Sequence, residues 1–468
     1  MTDTALHWRP AWQLREEMAA GQRSPVEVTE AFLARIAAAD GRLHGFITVA
    51  ADAALATAAR LERERAAGQP PGPLFGVPVS VKDLYWTRDM VTTAGSLLYR
   101  DFRPAQDAVH VERLRAAGAV VIGKTNLPEF ALYPRTVNRL TAECRNPWDL
   151  DRTSGGSSGG SAATVAAGLT PLTIASDGGG STRIPAALCG AYGLYPSNGL
   201  LPRHGGIGAT IMFSNAGPIS RDVRDAALLL QALAGADPRD PASDRSPVPD
   251  YLAGLDEPVA GLRMHWTGDC GDVPGIDERA VTAARSAAGT FAGLGAEVAE
   301  AAGGLAAERW MESFYTMLLA DRYASIGQQL HTDPAARGLL SEYGRSHFAR
   351  GAAVTGAEYS RALNLRSQVI AHLDGLLDGA DVLLTPTVGG IAPAITGPIE
   401  RGPLVAYTFI VNYAGFAAAT LPCGFVDGLP VGLQVIGRPR SEALLLRVSR
   451  AFERAGGWAG TRPPGFAD

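Results

Sequence analysis

The stretch Leu-Thr-Ile-Ala-Ser-Asp-Gly-Gly-Gly-Ser (residues 172–181) joins a short apolar run to three consecutive glycines and a serine. The apolar run has the length and composition of a buried strand. Glycines let the backbone after the strand approach a bound molecule closely, and they let several N–H groups converge on one concavity. The pattern predicts a strand that ends in a loop-built site, with Ser181 as a candidate nucleophile.

Two further motifs supply the groups that such a serine needs. The run Gly-Val-Pro-Val-Ser-Val-Lys-Asp (76–83) alternates like a strand and ends in Lys82, and Gly-Gly-Ser-Ser-Gly-Gly-Ser (155–161) contains Ser157. Attack on an amide carbonyl requires a nucleophile, a base and donors for the developing oxyanion. Lys82 can be that base only when it is neutral, and burial beside valines favours the neutral amine.

Each motif alone has a simpler interpretation. The triple glycine also suits a turn between a strand and a helix, Lys82 beside Asp83 also suits a surface ion pair, and 155–161 also suits a flexible linker. Only the three motifs together, in this order, indicate acyl-transfer chemistry.

In that order and spacing the motifs resemble the amidase signature family, whose members break amide bonds with a Ser–cis-Ser–Lys triad. The resemblance is strong over residues 74–230 and resumes near 380–455. It implies an α/β fold with a central mixed, twisted β-sheet covered by helices on both faces. Alternation of strand and helix patterns after residue 74 independently favours such a layered sheet.

The resemblance also implies a role for each site residue. Neutral Lys82 takes a proton from Ser181 through Ser157, and the peptide bond before Ser157 is cis. The loop glycines, with the Ser181 amide, are the expected oxyanion-hole donors. Those glycines are Gly178, Gly179 and Gly180, and the residues expected to support the loops are Ser158, Asp177 and Arg183. Tyr195 departs from the family pattern, which has lysine there, and this puts the local hydrogen bonding in doubt.

We expect a single domain over residues 1–468. It comprises N-terminal helices (1–70), the signature core (74–230), a mostly helical peripheral layer that partly covers the site (235–375) and a C-terminal return to the core (380–468). Ser24 and Pro25 predict a capped helix start. The predicted strands are 77–81, 119–122, 172–175, 381–385 and 431–436.

Composition narrows the class of function. The chain has 42 basic and 47 acidic residues, which gives no electrostatic footprint for nucleic acid. Its four cysteines form no CxxC pair, so we expect no metal, no cofactor and a reducing, cytoplasmic location. We see no signal peptide and no apolar stretch long enough for a membrane span. The expected partners are a small amide, ester or carbamate substrate, with no nucleic acid and no membrane, for a monomer or homodimer.

Two short patterns match other families by letter only. Residues 118–125 fit the phosphate-binding pattern GxxxxGK[ST], but the four intervening residues are apolar and resemble a strand. Residues 155–159 fit the nucleophile-elbow pattern GxSxG, but no strand pattern precedes them.

The sequence therefore predicts an amidohydrolase of linear amides that acts through a Ser181 acyl-enzyme on a small, partly hydrophobic substrate. The same chemistry tolerates esters and carbamates. Four apolar residues near the motifs are the expected substrate contacts: Leu132, Tyr133, Ile184 and Phe213. Two alternatives stay open. One is the glutaminase subunit of a tRNA-dependent amidotransferase, although residues 406–413 lack the acidic residue expected there to hold the amino group of glutamine. The other is a non-catalytic binding protein on the same fold.

Overall fold

An 11-stranded mixed sheet forms the centre of the protein in the computed structural model, which describes residues 6–208, 210, 212–456, 458 and 460–467. The strands are β1 Phe46–Val49, β2 Pro78–Lys82, β3 Val120–Thr125, β4 Leu172–Asp177, β5 Tyr192–Tyr195, β6 Asn215–Ser220, β7 Arg263–Trp266, β8 Glu297–Glu300, β9 Val382–Pro386, β10 Ala417–Val426 and β11 Leu429–Gly437. Their order across the sheet is β1-β3-β2-β4-β6-β5-β10-β11-β9-β7-β8.

Helices cover the sheet, as the sequence predicted. They are α1 Ala11–Ala20, α2 Pro25–Leu43, α3 Ala51–Ala66, α4 Val109–Ala116, α5 Gly159–Ala166, α6 Arg183–Cys189, α7 Val223–Leu233, α8 Glu278–Gly293, α9 Ala307–Arg322, α10 Gln328–Thr332, α11 Pro334–Leu339, α12 Glu342–Ala353, α13 Gly356–Leu376, α14 Arg401–Val405, α15 Phe409–Ala414 and α16 Glu442–Arg454. Among these described elements, no helix is long and apolar enough to cross a membrane.

The three central strands of the N-terminal half bring the signature motifs together. β2 lies between β3 and β4 and is parallel to both. Every residue of β2 and β4 is buried, which explains their nearly continuous apolar sequence. Because neighbouring parallel strands end at the same edge of a sheet, Lys82 at the end of β2 lies beside the glycine loop that follows β4.

The N-terminal helix prediction is confirmed at its start, because the Ser24 hydroxyl accepts a hydrogen bond from the Val26 amide at 3.0 Å and Pro25 is the first residue of α2. The segment 1–70 also holds a strand that the sequence did not predict. β1 is four residues long and pairs antiparallel with β3. Such a short strand lacks enough alternation to be distinguished from a loop.

The apolar run 118–125 is β3 and not a phosphate loop. Its Lys124 is fully buried and forms an ion pair with Asp83, at 3.1 Å between the Lys124 Nζ and Asp83 Oδ1 atoms. Lys124 also donates to the backbone oxygen of Tyr85 and to the Thr92 hydroxyl, at 2.7 and 2.8 Å. Asp83 is thus bound to a lysine on the neighbouring strand, and the surface pair with Lys82 that the sequence left open does not form.

Asp83→Ala should lower the free energy of unfolding by about 3–5 kcal/mol, because it leaves the buried Lys124 cation without its carboxylate. Urea unfolding followed by circular dichroism measures the change. Glu64→Ala is the matched control, since it breaks the exposed pair between Arg60 and Glu64 and should cost less than about 1 kcal/mol. Equal losses in the two variants would contradict a special role for the buried pair.

Candidate active site

Lys82 is the centre of a fully buried cluster of hydroxyl groups. Its Nζ atom lies within hydrogen-bond distance of the hydroxyls of Ser157, Ser158 and Ser176, at 2.7, 2.8 and 2.8 Å, and a neutral amine can donate to two of them and accept from the third. Among the described residues it forms no ion pair. Burial therefore lowers the pKa of Lys82 well below its ordinary value of 10.5, and the positive charge of Arg322 lowers it further, against the opposing effect of Asp177.

The loop that carries Ser157 is held from both sides. The Ser158 hydroxyl, just before α5, donates to the backbone oxygen of Ser176 at 3.1 Å. The Thr136 hydroxyl donates to the backbone oxygen of Gly155 at 2.8 Å and accepts from the Gly159 amide at 3.1 Å. The peptide bond between Gly156 and Ser157 is cis, as the resemblance implied.

Ser181 lies on the wall of the cleft that Ser157 and Ser176 also line. Its backbone oxygen accepts a hydrogen bond from the Ser158 amide at 3.2 Å, which joins the two glycine-rich loops directly. The described hydrogen bonds do not include one between the hydroxyls of Ser157 and Ser181. In enzymes without bound substrate such contacts are often long and shorten when substrate binds.

The glycine loop before Ser181 is organised by Asp177. The Asp177 carboxylate accepts hydrogen bonds from the Gly180 amide at 2.6 Å and from the Gly179 amide at 3.3 Å. Within the described part of the chain, the amides of Gly178 and Ser181 have no hydrogen-bond partner. Of the four amides expected to form the oxyanion hole, those of Gly178 and Ser181 are thus the free donors, and those of Gly179 and Gly180 are already bound to Asp177.

Arg183 holds Asp177 in place. The Arg183 Nε atom donates to Asp177 at 3.0 Å, and both side chains are fully buried. The guanidinium also donates to the Gln434 side chain at 2.7 Å and to the Asn412 side chain at 2.5 Å, which links the loop to β11 and α15. It lies 4.7 Å from the ring centroid of Tyr195, so the tyrosine that departs from the family pattern supports this arginine.

The structure brings three of the four predicted substrate contacts to the cleft. Leu132, Tyr133 and Ile184 line it, together with Ser181. Phe213 does not reach the cleft wall. It is fully buried, and its ring packs 5.2 Å from that of Phe314, which lines the cleft in its place.

Part of the remaining wall comes from the helical region, which the sequence assigned to a covering layer without naming residues. α9 contributes Phe314, Leu318 and Arg322, and α12 contributes His347. The α9 residues are four positions apart and share one helix face. An arginine at the end of an otherwise apolar stripe was the signal that could have identified this wall.

The cleft is positively charged. Arg322, Arg401 and Arg203 line it, and its described lining residues include no aspartate or glutamate. Burial and the nearby arginines Arg401, Arg350 and Arg322 lower the pKa of His347 to about 3, so this histidine is neutral at physiological pH.

Comparisons with known proteins find relatives that match nearly the whole chain. The Amidase family matches residues 27–446. The chain is 37% identical to a glutamyl-tRNA(Gln) amidotransferase subunit from Chloroflexus aggregans, over 98% of this chain and 99% of that protein. It is 38% identical to the subunit of the same name from Anaeromyxobacter dehalogenans, over 93% of this chain and 94% of that protein.

Solved structures agree in fold along the whole chain. A bacterial aryl acylamidase of the amidase signature family has a TM-score of 0.90 and 30% identity, with 97% of each chain covered. The peptide amidase of Stenotrophomonas maltophilia has a TM-score of 0.85 and 33% identity, with 98% of this chain and 99% of that one covered.

The partners expected from composition need correction. We expected only a small amide, ester or carbamate substrate, no nucleic acid, and a monomer or homodimer. This prediction is wrong, because the full-length relatives are named as subunits of an amidotransferase that acts with tRNA. The chain's net charge reports only whether its own surface attracts nucleic acid, and it carries no information on contacts made through other subunits.

Gly156→Ala should abolish the reactivity of the cleft while the fold persists. A Cβ atom at Gly156 would lie 2.6 Å from the backbone oxygen of Tyr133 and 2.7 Å from the Arg135 amide nitrogen, so the Ser157 loop must shift. The rate of labelling of Ser181 by a fluorophosphonate measures the effect.

Gly289→Ala is the control, since it adds a methyl group to α8 with nothing within 4 Å and should keep the wild-type labelling rate. Wild-type labelling of the Gly156→Ala protein would show that the close packing of this loop does not hold the site together.

Proposed function

The chain belongs to the amidase signature family, and from this membership we propose that it hydrolyses amide bonds through an acyl-enzyme on Ser181. The observation that carries the proposal is the environment of Lys82. A lysine buried among three hydroxyls, without a described carboxylate partner, has a lowered pKa, which favours the neutral amine that can accept a proton. A protein that only binds its ligand does not require a buried lysine that can accept a proton.

The proposed mechanism uses only side chains and amides of this chain. Lys82 accepts the Ser157 proton while Ser157 accepts the Ser181 proton, and the Ser181 oxygen attacks the amide carbon. The free amides of Gly178 and Ser181 donate to the oxyanion. Collapse of the intermediate breaks the C–N bond, and the proton returns from Lys82 through Ser157 to the leaving amine. A water molecule then cleaves the acyl-enzyme by the same relay. Esters and carbamates would react in the same way.

The first candidate substrate is glutamine, with the chain as the ammonia-producing subunit of an amidotransferase that acts with tRNA. Supporting this are relatives of that name at 37–38% identity, which match the chain over 93–98% of its length. The cleft, however, offers no described carboxylate to the ammonium group of glutamine.

The absence of a described carboxylate in the cleft, together with its aromatic walls, favours a second candidate substrate, which is an amide with an aromatic or otherwise apolar part. Tyr133, Phe314 and Tyr315 line the cleft. A structural relative at 30% identity is an aryl acylamidase, which acts on aryl amides by name.

The serine relay predicts a difference between two neighbouring hydroxyls. Ser181→Ala should abolish turnover, and Ser157→Ala should lower kcat by about 10²–10⁴-fold, because it interrupts the proton path. Ser158→Ala is the matched control, since Ser158 also accepts from Lys82 at nearly the same distance but stands outside the relay. Its kcat should fall far less. Equal losses at the two positions would remove Ser157 from the relay.

Activity should also depend on pH in one direction. Lys82 must be unprotonated, and its folded-state pKa lies below 10.5. We expect kcat/KM to rise with pH through this lowered pKa and then to level off. An activity that falls over the same range would exclude Lys82 as the base. The profile is measured with a substrate that does not titrate.

Ammonia release distinguishes the two substrate candidates. The chain isolated with its bound partners from the source cells should release ammonia from glutamine, and the Ser181→Ala protein should not. Turnover of anilides without any release from glutamine would instead establish the second candidate.

A further inference from the structure

Arg322 is a buried cation whose hydrogen-bonding capacity is mostly unused. It is the last residue of α9, its exposed fraction is 5%, and it lies on the cleft wall. A guanidinium has five N–H donors. Within the described part of the chain, the Arg322 Nη1 atom donates to the backbone oxygen of Gly208, the Nε atom is buried without a partner, and no ion pair forms.

Burying the Arg322 guanidinium is unfavourable unless a bound group accepts the hydrogen bonds of its unused donors. A buried donor without a partner loses its hydrogen bonds to water without replacement, and this cost is larger when the donor is charged. Burial lowers the pKa of Arg322 only to about 10, so the side chain is still charged at neutral pH. The acidic group nearest in sequence, Asp321, accepts a hydrogen bond from the Tyr359 hydroxyl at 2.8 Å, on the side away from the cleft.

The position of Arg322 relates it to the reacting atoms. The Arg322 Nη2 atom is 3.8 Å from the place where a Cβ atom on Gly178 would lie, and Gly178 is three residues before Ser181. Gly178 has no side chain to fill this space. Ser181 and Arg322 both line the cleft, so an acyl group attached to Ser181 would extend into the space that this guanidinium borders.

We propose that Arg322 binds a carboxylate on the acyl part of the substrate, so that the chain acts on the monoamide of a dicarboxylic acid. A planar guanidinium with free donors matches a carboxylate, to which it can bind through two parallel hydrogen bonds. The absence of a described carboxylate on the cleft wall disfavours an ammonium group near the same position. This inference rests on the proposed amide hydrolysis and specifies its substrate class.

A second cleft arginine is less suited to this role. The Arg401 guanidinium lies 4.9 Å from the ring centroid of Tyr133 and is part of a more exposed wall. Arg203, the third, is paired with Asp240 at 3.1 Å. Arg322 is therefore the cation whose partner the cleft itself does not supply.

Three amides of equal length test the inference: glutaramate carries a carboxylate, pentanamide is neutral, and 5-aminopentanamide carries an ammonium group. Ammonia release should give the highest kcat/KM for glutaramate and the lowest for 5-aminopentanamide. Arg322→Gln should lower kcat/KM for glutaramate at least about tenfold and change that for pentanamide by less than about threefold. Arg322→Lys should retain part of the preference for glutaramate that Arg322→Gln loses. It keeps the positive charge but lacks the two parallel N–H donors of the guanidinium. All rates are compared on the pH plateau of each variant.

Arg401→Gln is the matched control, because it removes a charge from the same cleft. It should leave the preference for glutaramate over pentanamide nearly unchanged. An equal loss of preference in the Arg401→Gln and Arg322→Gln proteins would assign the effect to the general charge of the cleft and overturn the role of Arg322. An equal loss for all three amides in Arg322→Gln would also overturn it, since a merely structural arginine would act in that way.

A binding measurement tests the carboxylate site at Arg322 independently of the proposed hydrolysis. Calorimetry with the Ser181→Ala protein should detect glutaramate binding that Arg322→Gln, added to the same background, weakens at least about tenfold. If that binding is present but the wild-type protein cleaves none of the three amides, nor glutamine, nor anilides, the carboxylate site stands and the proposed hydrolysis fails. If Ser181→Ala binds pentanamide as tightly as glutaramate, the carboxylate site is wrong whatever the enzyme hydrolyses.

Discussion

The site depends on keeping one lysine uncharged in the interior of the protein. Lys82 is followed directly by an aspartate, which would ordinarily hold it as a cation. The structure prevents this by pairing Asp83 with Lys124 on the adjacent strand, where both are fully buried. Lys82 is left with hydroxyl partners alone, and desolvation then favours its neutral form. The ion pair on one side of β2 is thus a condition for the base on the other.

The glycine loop also depends on a buried charge that is paired within the protein. Asp177 is bound by Arg183 and by the amides of Gly179 and Gly180, so its charge is satisfied beside the cleft without being offered to a substrate. Arg183 in turn reaches β11 and α15, elements that are more than 200 residues away in sequence. The nucleophile's loop is therefore fixed by contacts with β11 and α15, and its free amides are those that Asp177 does not use.

The sequence predicted the parts of this arrangement that local pattern determines. The strands β2, β4, β9 and β11 and the glycine loops follow from apolar runs and turn residues, and their order along the chain identifies the family. Side-chain contacts between residues far apart in the sequence leave no such local pattern. The ion pair between Asp83 and Lys124 could not be inferred from the sequence. Each residue lies in a stretch that is equally compatible with a charged side chain exposed to solvent. β6, with its glycine and proline, is a strand only because its neighbours bury it. Phe213 was expected at the cleft because it is aromatic and near the motifs, but which of the two packed rings, Phe213 or Phe314, faces the cleft depends on how α9 packs.

The division of the cleft between two parts of the chain has a consequence for how such proteins diversify. The reacting groups lie at the ends of β2 and β4 and in the loop before α5, whereas much of the opposite wall comes from α9 and α12. These helices contribute no strand to the sheet, and apolar cleft-facing residues such as Phe314 and Leu318 can change without removing a group of the relay. Evolution can therefore alter the acyl group that the cleft accepts through changes within residues 307–353 while the reacting groups stay the same.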